Sequence, residues 1–318
     1  MSEITLMTDE QRTAVCCLSS LNLEKYEEWK DSNIVQDLIR LLDNVLEYFI
    51  QLAPPVLARA IYSASMERSL GLGTLGWHSY LQSKMIPFEG DGLNSAIQHT
   101  RIVFKKIKGR AVEESKRLAE SRGEAPDCVG SGMRNSHLLA IAPNASSSSI
   151  VGASPSIEPW NANAFNAQGR AGSFLIKNKH LEEVLKEKGK DTQEVWKSII
   201  TNEGSVQHLE FLSEEEKLVF KTSVEIDPEW VVEQAQQRQK YVCQSMSLNI
   251  FVPSNMDAQR MSDLHIGGWL KGVKTFYYCR SKPASRASLG DGGEKPLNSV
   301  SATPSMFTTD NECKSCEG

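Results

Sequence analysis

The sequence predicts an α/β domain with parallel strands, followed by a tail with no fold of its own. Three observations carry this reading. Short apolar runs suited to buried strands alternate with stretches of helical character. Within the clearest of those stretches, apolar residues recur at 35, 38, 39, 42, 45, 46, 49 and 50, the spacing of one helical face. After Tyr278 the composition turns to Ser, Pro, Gly, Asp and Lys, which cannot bury enough apolar surface to order itself.

Taken in order, Ala14–Leu23 is an apolar, strand-like run that contains Cys16 and Cys17. The helical face between Leu23 and Leu52 is stopped by Pro54-Pro55. Gly71-Leu-Gly-Thr-Leu-Gly76 has the letters of a dinucleotide-binding turn, but no clear strand precedes it and Ser65–Ser69 reads helical. It is better taken as a short strand or a place of close backbone approach. A second long helix is predicted from Asn94 to about Ser121, ended by Gly123. His137–Ala142 suits a buried strand and empties into a small-residue turn, Pro143–Ser149. Helical stretches follow at 180–188, 192–202, 213–221 and 228–243. Ser247–Val252 is a strand, 256–271 a helix, and Val273–Tyr278 the last strand. The domain therefore covers residues 1–280 and the tail 281–318.

At 318 residues, 40% apolar and 24% charged, the chain can bury a substantial core. Its net charge of −5 leaves no broad basic surface, which argues against a nucleic-acid polymer as partner. No apolar run approaches the ~18 residues of a membrane span. The first ten residues have neither the basic nor the apolar region of a signal peptide. With seven cysteines, an odd number, and no export signal, the expected compartment is the reducing cytoplasm. Any disulfide should then be transient and chemical.

Candidate chemistry lies in four places. Cys313-Lys-Ser-Cys316 ends a segment that, as a flexible coil over 279–312, has a span of about 30–35 Å. A zinc knuckle would need a second ligand pair that the sequence lacks, and a thioredoxin-type motif would open a helix after a strand. A redox shuttle and an incidental pair both remain. Cys16 and Cys17, adjacent on a strand, would face opposite sides, and a free buried cysteine is ordinarily just a small hydrophobe. That ordinary reading is stronger still for Cys128, Cys243 and Cys279. Pro143–Ser149 offers backbone N–H groups and hydroxyls that suit a phosphate or diphosphate, although Ser-rich turns are usually plain loops. The pair Tyr277-Tyr278 would ordinarily be packing residues.

Together these pieces resemble the C-terminal part of the large (catalytic) subunit of class I ribonucleotide reductases. The residues that carry the resemblance are Ala14–Leu23, Gly71–Gly76, Arg134-Asn-Ser-His137, Pro143–Ile150, Ile157-Glu-Pro159, Gly272–Tyr278 and the terminal cysteine pair, in family order over nearly the whole chain. The resemblance implies the C-terminal part of a ten-stranded α/β barrel. In that family a radical made in a separate small subunit travels through paired tyrosines to a cysteine. The resulting thiyl takes the substrate's 3′ hydrogen, the 2′ hydroxyl leaves as water, and a cysteine pair supplies two electrons. Tyr277 and Tyr278 would then be the radical relay and Cys16 the second cysteine of the reducing pair. Pro143, Asn144, Ala145, Ser146 and Ser147 would form the phosphate-binding turn, and Cys313 and Cys316 the tail dithiol, although several relatives space those cysteines more widely. Glu3 falls on the catalytic glutamate. Cys17 stands where relatives often carry threonine and takes no role.

The sequence departs from the family pattern at its beginning. Met1 stands where the thiyl cysteine belongs, and the family's asparagine, thiyl cysteine and first reducing cysteine are absent, as are the regulatory nucleotide sites. The resemblance therefore implies a C-terminal fragment of a split, phage-like large subunit. It would be inactive alone and completed by an N-terminal fragment and the radical-generating small subunit. It further implies a ribonucleotide substrate, thioredoxin or glutaredoxin as electron donor, no metal or cofactor in this chain, and a metal/radical cofactor in the small subunit. The place of action would be the cytoplasm, a host's if the gene is a phage's. The rival is a non-catalytic remnant or interaction module of a disrupted reductase gene. A free-standing thiol oxidoreductase is a third reading.

Overall fold

The computed structural model describes residues 1–169, 172–253 and 255–281. Strand β1 (Cys17–Asn22) leads through a short helix α1 (Tyr26–Trp29) to α2 (Ile34–Leu52). α2 buries Val35, Ile39, Leu42 and Leu46 and ends at Ala53, which is extended because the ring of Pro54 disfavours a helical residue before it. α3 (Ala58–Glu67) precedes β2 (Leu70–Leu75) and α4 (Trp77–Ser83). The long α5 (Ala96–Arg122) starts where the Ser95 hydroxyl accepts from the Gln98 N–H and stops at Gly123. α6 (Ala145–Val151) follows, then a hairpin of β3 (Ala164–Gly169) and β4 (Gly172–Lys177). Next come α7 (Lys179–Glu187), α8 (Gln193–Thr201), α9 (Glu214–Val219) and α10 (Pro228–Gln239). β5 (Ile250–Val252), α11 (Ala258–Leu270) and β6 (Cys279–Ser281) complete the described residues.

Apart from the antiparallel β3–β4 hairpin, the strands form an arc whose members are parallel and run in chain order. β1 pairs with β2 from Cys17↔Leu70 to Asn22↔Leu75. Leu72 bridges to Leu139 and Ile141 to Met246, both parallel, so 137–141 and 245–248 continue the arc. β5 and β6 close it at Ile250↔Cys279 through Val252↔Ser281. Each step between neighbours is covered by helix, as parallel pairing requires. On its other side β1 has no strand partner among the described residues.

The glycines of β2 explain why that segment is a strand. A Cβ on Gly71 would stand 2.4 Å from Leu18 Cδ2, and one on Gly73 would stand 2.6 Å from the Ala140 carbonyl oxygen. Only glycine lets β2 sit this close to both neighbours. Helices α2, α5 and α10 cover the outer face with Ile39, Leu46, Phe104, Ile107, Val231 and Ala235 in one core. A smaller core under α7, α8 and α9 gathers Leu181, Leu185, Trp196, Ile199 and Phe220. Asp43 of α2 is fully buried and is met by Arg68, Arg122, Arg134 and the Asn135 amide, so its charge is paired from four directions.

Three local expectations are corrected. Pro143–Ser149 is not simply a turn: from Ala145 the chain is helical. Left-handed Asn144 (φ 54°) precedes the helix and left-handed Gly152 (φ 65°) ends it. Val273–Tyr278 is not the last strand; regular pairing begins at Cys279. The Thr275 hydroxyl bonds the carbonyls of Ser2 (2.9 Å) and Met246 (3.1 Å), which fixes the chain as it enters the sheet. The β3–β4 hairpin was not foreseen, because its short, mixed run lacks a clean apolar alternation. None of the described helices is long and apolar enough to cross a membrane.

Candidate active site

The strand segment Gln244–Asn249 touches three of the four groups of described candidate residues. Its Ser245 N–H bonds the Glu3 carbonyl at 2.9 Å. The Ser247 hydroxyl donates to the Glu3 carboxylate and accepts from the N–H groups of Ser2 (3.0 Å) and Glu3 (3.2 Å). Glu3 is wholly buried, and its second carboxylate oxygen, Oε1, has no hydrogen-bond partner among the described residues. A buried acceptor left open in this way is costly unless something else satisfies it.

Cys16 immediately precedes β1, further along the arc, and the Gln244 side chain reaches across to it. Gln244 Nε2 donates to its sulfur at 3.2 Å, and burial pushes the thiol up to about 12. The Glu3 charge acts in the same direction, so the two groups lie within electrostatic reach of each other. At neutral pH Cys16 is a protonated thiol. Cys17 points elsewhere, and its thiol too is raised by burial.

Tyr277 and Tyr278 have ring centroids 4.1 Å apart at 49°. On a regular strand adjacent side chains would diverge, so this contact depends on the irregular backbone ahead of β6. Leu248 O and Asn249 Oδ1 accept from the two tyrosine N–H groups at 2.9 and 3.2 Å. Tyr278 is 51% exposed, and the Arg280 guanidinium lies over its ring at 5.1 Å. The pair thus reaches the molecular surface at one end.

Pro143–Ser147 lies at the C-terminal ends of three parallel strands, where ligands of α/β proteins are usually held. Asn144 builds the place: its amide donates to the carbonyls of Thr74 (3.2 Å) and Ala142 (3.0 Å) and accepts from Ser20 Oγ at 3.1 Å. Ala145 and Ser146 are exposed and Ser147 half-buried. The start of a helix at this place suits an anion. Cys313 and Cys316 lie outside the described residues.

Four residues were missed by sequence reasoning. Gln244 and Ser247 hold Cys16 and Glu3, while Asn249 and Glu158 support the tyrosines. A signal existed: Ser245, Ser247 and Asn249 place polar groups at every second position of a fully buried strand, and buried polar groups need partners. Glu158 Oε1 accepts from the Asn249 N–H at 3.3 Å. Burial pushes its carboxyl up to about 7. Folded Glu158 therefore keeps its proton to higher pH than the unfolded chain does, so its contribution to stability is full below the unfolded pKa near 4.5 and is lost as pH rises through 7. Relative to the parent, Glu158→Gln should gain on the order of 3 kcal/mol between pH 5 and pH 8, read from urea midpoints. A constant difference across that range would refute the assignment.

Comparison with known proteins identifies the family and the fold. The sequence model of the ribonucleotide reductase barrel domain matches residues 2–131 and 126–279. The ribonucleoside-diphosphate reductase large subunit of Invertebrate iridescent virus 6 is 46% identical over 308 residues, covering 95% of this chain and 32% of that protein. Its counterpart in Invertebrate iridescent virus 3 is 44% identical over 322 residues, covering 100% and 49%. Among solved structures, the class Id ribonucleotide reductase alpha subunit of Actinobacillus ureae superposes with a TM-score of 0.82 at 43% identity, covering 88% of this chain and 52% of that one. The chain spans about a third to a half of the length of these relatives. With its parallel arc and its family match over nearly all described residues, this chain belongs to the ribonucleotide reductase large-subunit family, within the barrel domain.

Proposed function

We propose that this chain supplies the C-terminal part of the catalytic barrel of a ribonucleoside-diphosphate reductase. The observation that carries the reading is the single strand Gln244–Asn249, which holds Glu3, Cys16 and the tyrosine pair at once. In this reading Tyr278, open to the surface, receives an oxidising equivalent from a radical-generating small subunit and passes it through Tyr277 toward a thiyl cysteine. Glu3 Oε1, the open acceptor, takes the proton of the ribose 3′ hydroxyl as the 3′ hydrogen atom is abstracted. The 2′ hydroxyl leaves as water. Cys16 and a partner cysteine become a disulfide, giving up the two electrons and two protons that the ribose consumes. The N–H groups at Ala145–Ser147 hold the substrate's diphosphate. Cys313 and Cys316 then re-reduce the disulfide and are themselves recharged by thioredoxin or glutaredoxin.

The thiyl cysteine and the second cysteine of the pair are supplied by polypeptide equivalent to the N-terminal part of the relatives. We place it on a separate chain that pairs with this one. The open side of β1, which has no strand partner among the described residues, is where a strand of that polypeptide would add. The site would act in the cytoplasm, feeding deoxyribonucleotides to DNA replication.

Mixing decides the matter. This chain, the N-terminal part of a viral relative, the radical subunit and a dithiol donor should together convert ribonucleoside diphosphates to deoxyribonucleotides, and omission of this chain should abolish conversion. Full activity from this chain with the radical subunit alone would overturn the split site. No activity from the complete mixture, with all components folded and associated, would favour a non-catalytic module. In the active mixture, a Cys313→Ser/Cys316→Ser variant should lose turnover driven by thioredoxin while a small dithiol partly restores it. Unchanged thioredoxin-driven turnover would remove the tail from the mechanism.

A further inference from the structure

The amide of Gln244 links parts of the site that are far apart in the chain. It is fully buried, in a segment whose neighbours are also buried. Its Oε1 accepts from the Thr5 N–H at 3.3 Å, two residues after Glu3. Its Nε2 donates to the Leu70 carbonyl at 3.0 Å, to Cys16 Sγ at 3.2 Å and, at 3.4 Å, to Ser69 Oγ. An N–H donor on one end and a carbonyl acceptor on the other leave only one way to orient the amide. Cys16 also lies against Gly71, where a Cβ would stand 2.7 Å from the sulfur. The sulfur therefore meets both a glycine that makes room for it and an amide that points a proton at it.

We propose that Gln244 is a positioning residue for Cys16: its amide fixes the sulfur by an N–H···S bond and ties it to the segment that carries Glu3. The proposal rests on the reading of Cys16 as one half of the reducing pair, but the bond itself can be tested apart from that reading. A buried glutamine that merely satisfied backbone groups would need only Leu70 O and Thr5 N–H. The third contact, to a sulfur, gives this side chain a chemical consequence. An N–H donor stabilises the thiolate over the thiol. In so buried a place it is the one neutral group found to oppose the desolvation of the charged sulfur. It keeps Cys16 able to lose its proton when a disulfide must form.

The test is the rate at which Cys16 is alkylated by iodoacetamide in the folded chain. It is measured at pH 9 by mass spectrometry in a Cys17→Ser background. Loss of the hydrogen bond and loss of packing have opposite signs here. Gln244→Met keeps the volume and removes the donor; it should slow labelling on the order of tenfold, one pKa unit. Gln244→Glu adds a carboxylate and should slow it further. Parental or faster labelling of Gln244→Met would overturn the proposal. So that the idea does not depend on the variants folding, the side-chain amide protons of Gln244 can be followed by NMR in the parent and in Cys16→Ala. Removing the sulfur should shift them, and unchanged resonances would also overturn the proposal. Failure of the underlying reading looks different: Cys16→Ser would sustain multiple turnover in the reconstituted mixture while the labelling result stood.

Discussion

Tyr277→Phe and Tyr278→Phe are each expected to abolish multiple-turnover reduction in the reconstituted enzyme, while the fold and substrate binding survive. Phenylalanine keeps the ring and therefore the 4.1 Å packing of the pair. It lacks the phenolic O–H, so the ring cannot give up an electron and a proton together at an accessible potential. A loss of at least about a hundredfold in kcat, equivalent to ~2.7 kcal/mol of barrier, is the minimum that a relay role requires. The check is deoxyribonucleotide formation together with the thermal midpoint of each variant. Activity within threefold of the parent would show that the pair is packing alone. The reading also predicts an asymmetry at the surface. Arg280 covers only the Tyr278 ring, so Arg280→Ala should alter the single-equivalent step without touching Glu3 or Cys16.

The second large effect is expected at Glu3. Glu3→Gln retains the size of the side chain and an oxygen for Ser247 to bond, but it removes the base. General-base catalysis contributes roughly 10²–10⁴-fold. The variant should lose that much in kcat with little change in KM, because the contacts proposed for the diphosphate lie elsewhere, at Ala145–Ser147. The structural reason to expect function is Oε1: a wholly buried carboxylate oxygen with no hydrogen-bond partner among the described residues suits a substrate hydroxyl. Equal losses in kcat and thermal stability would instead mark Glu3 as a structural anchor for its own segment.

Much of this was legible before any coordinates. The helical face of α2, the long α5 with its glycine stop and the order of strand and helix all follow from local periodicity, and the helices were found close to their predicted ends. Gly71 and Gly73 were readable as a place of close approach, though what approaches was not: Leu18 on one side and Ala140 on the other. The Ser-rich stretch reads as a turn in the sequence, yet it is helical from Ala145. The helix there is set by the left-handed Asn144, whose amide is held by Thr74, Ala142 and Ser20. The tyrosine pair is visible by its letters, but its ring contact is hidden because a strand would separate the rings.

By itself, the sequence determined the parallel α/β class, the family's motifs and the change in composition after Tyr278. Only the tertiary structure decided that one segment, Gln244–Asn249, contacts Glu3, Cys16 and the tyrosine pair. Gln244 meets Cys16 across 228 positions, and Ser247 meets Glu3 across 244. Local propensity and periodicity report on neighbours a few residues apart, whereas a buried amide or hydroxyl takes whatever partner the packed sheet brings to it. Those partners are set by the stacking order of the strands, which no short stretch of the sequence contains.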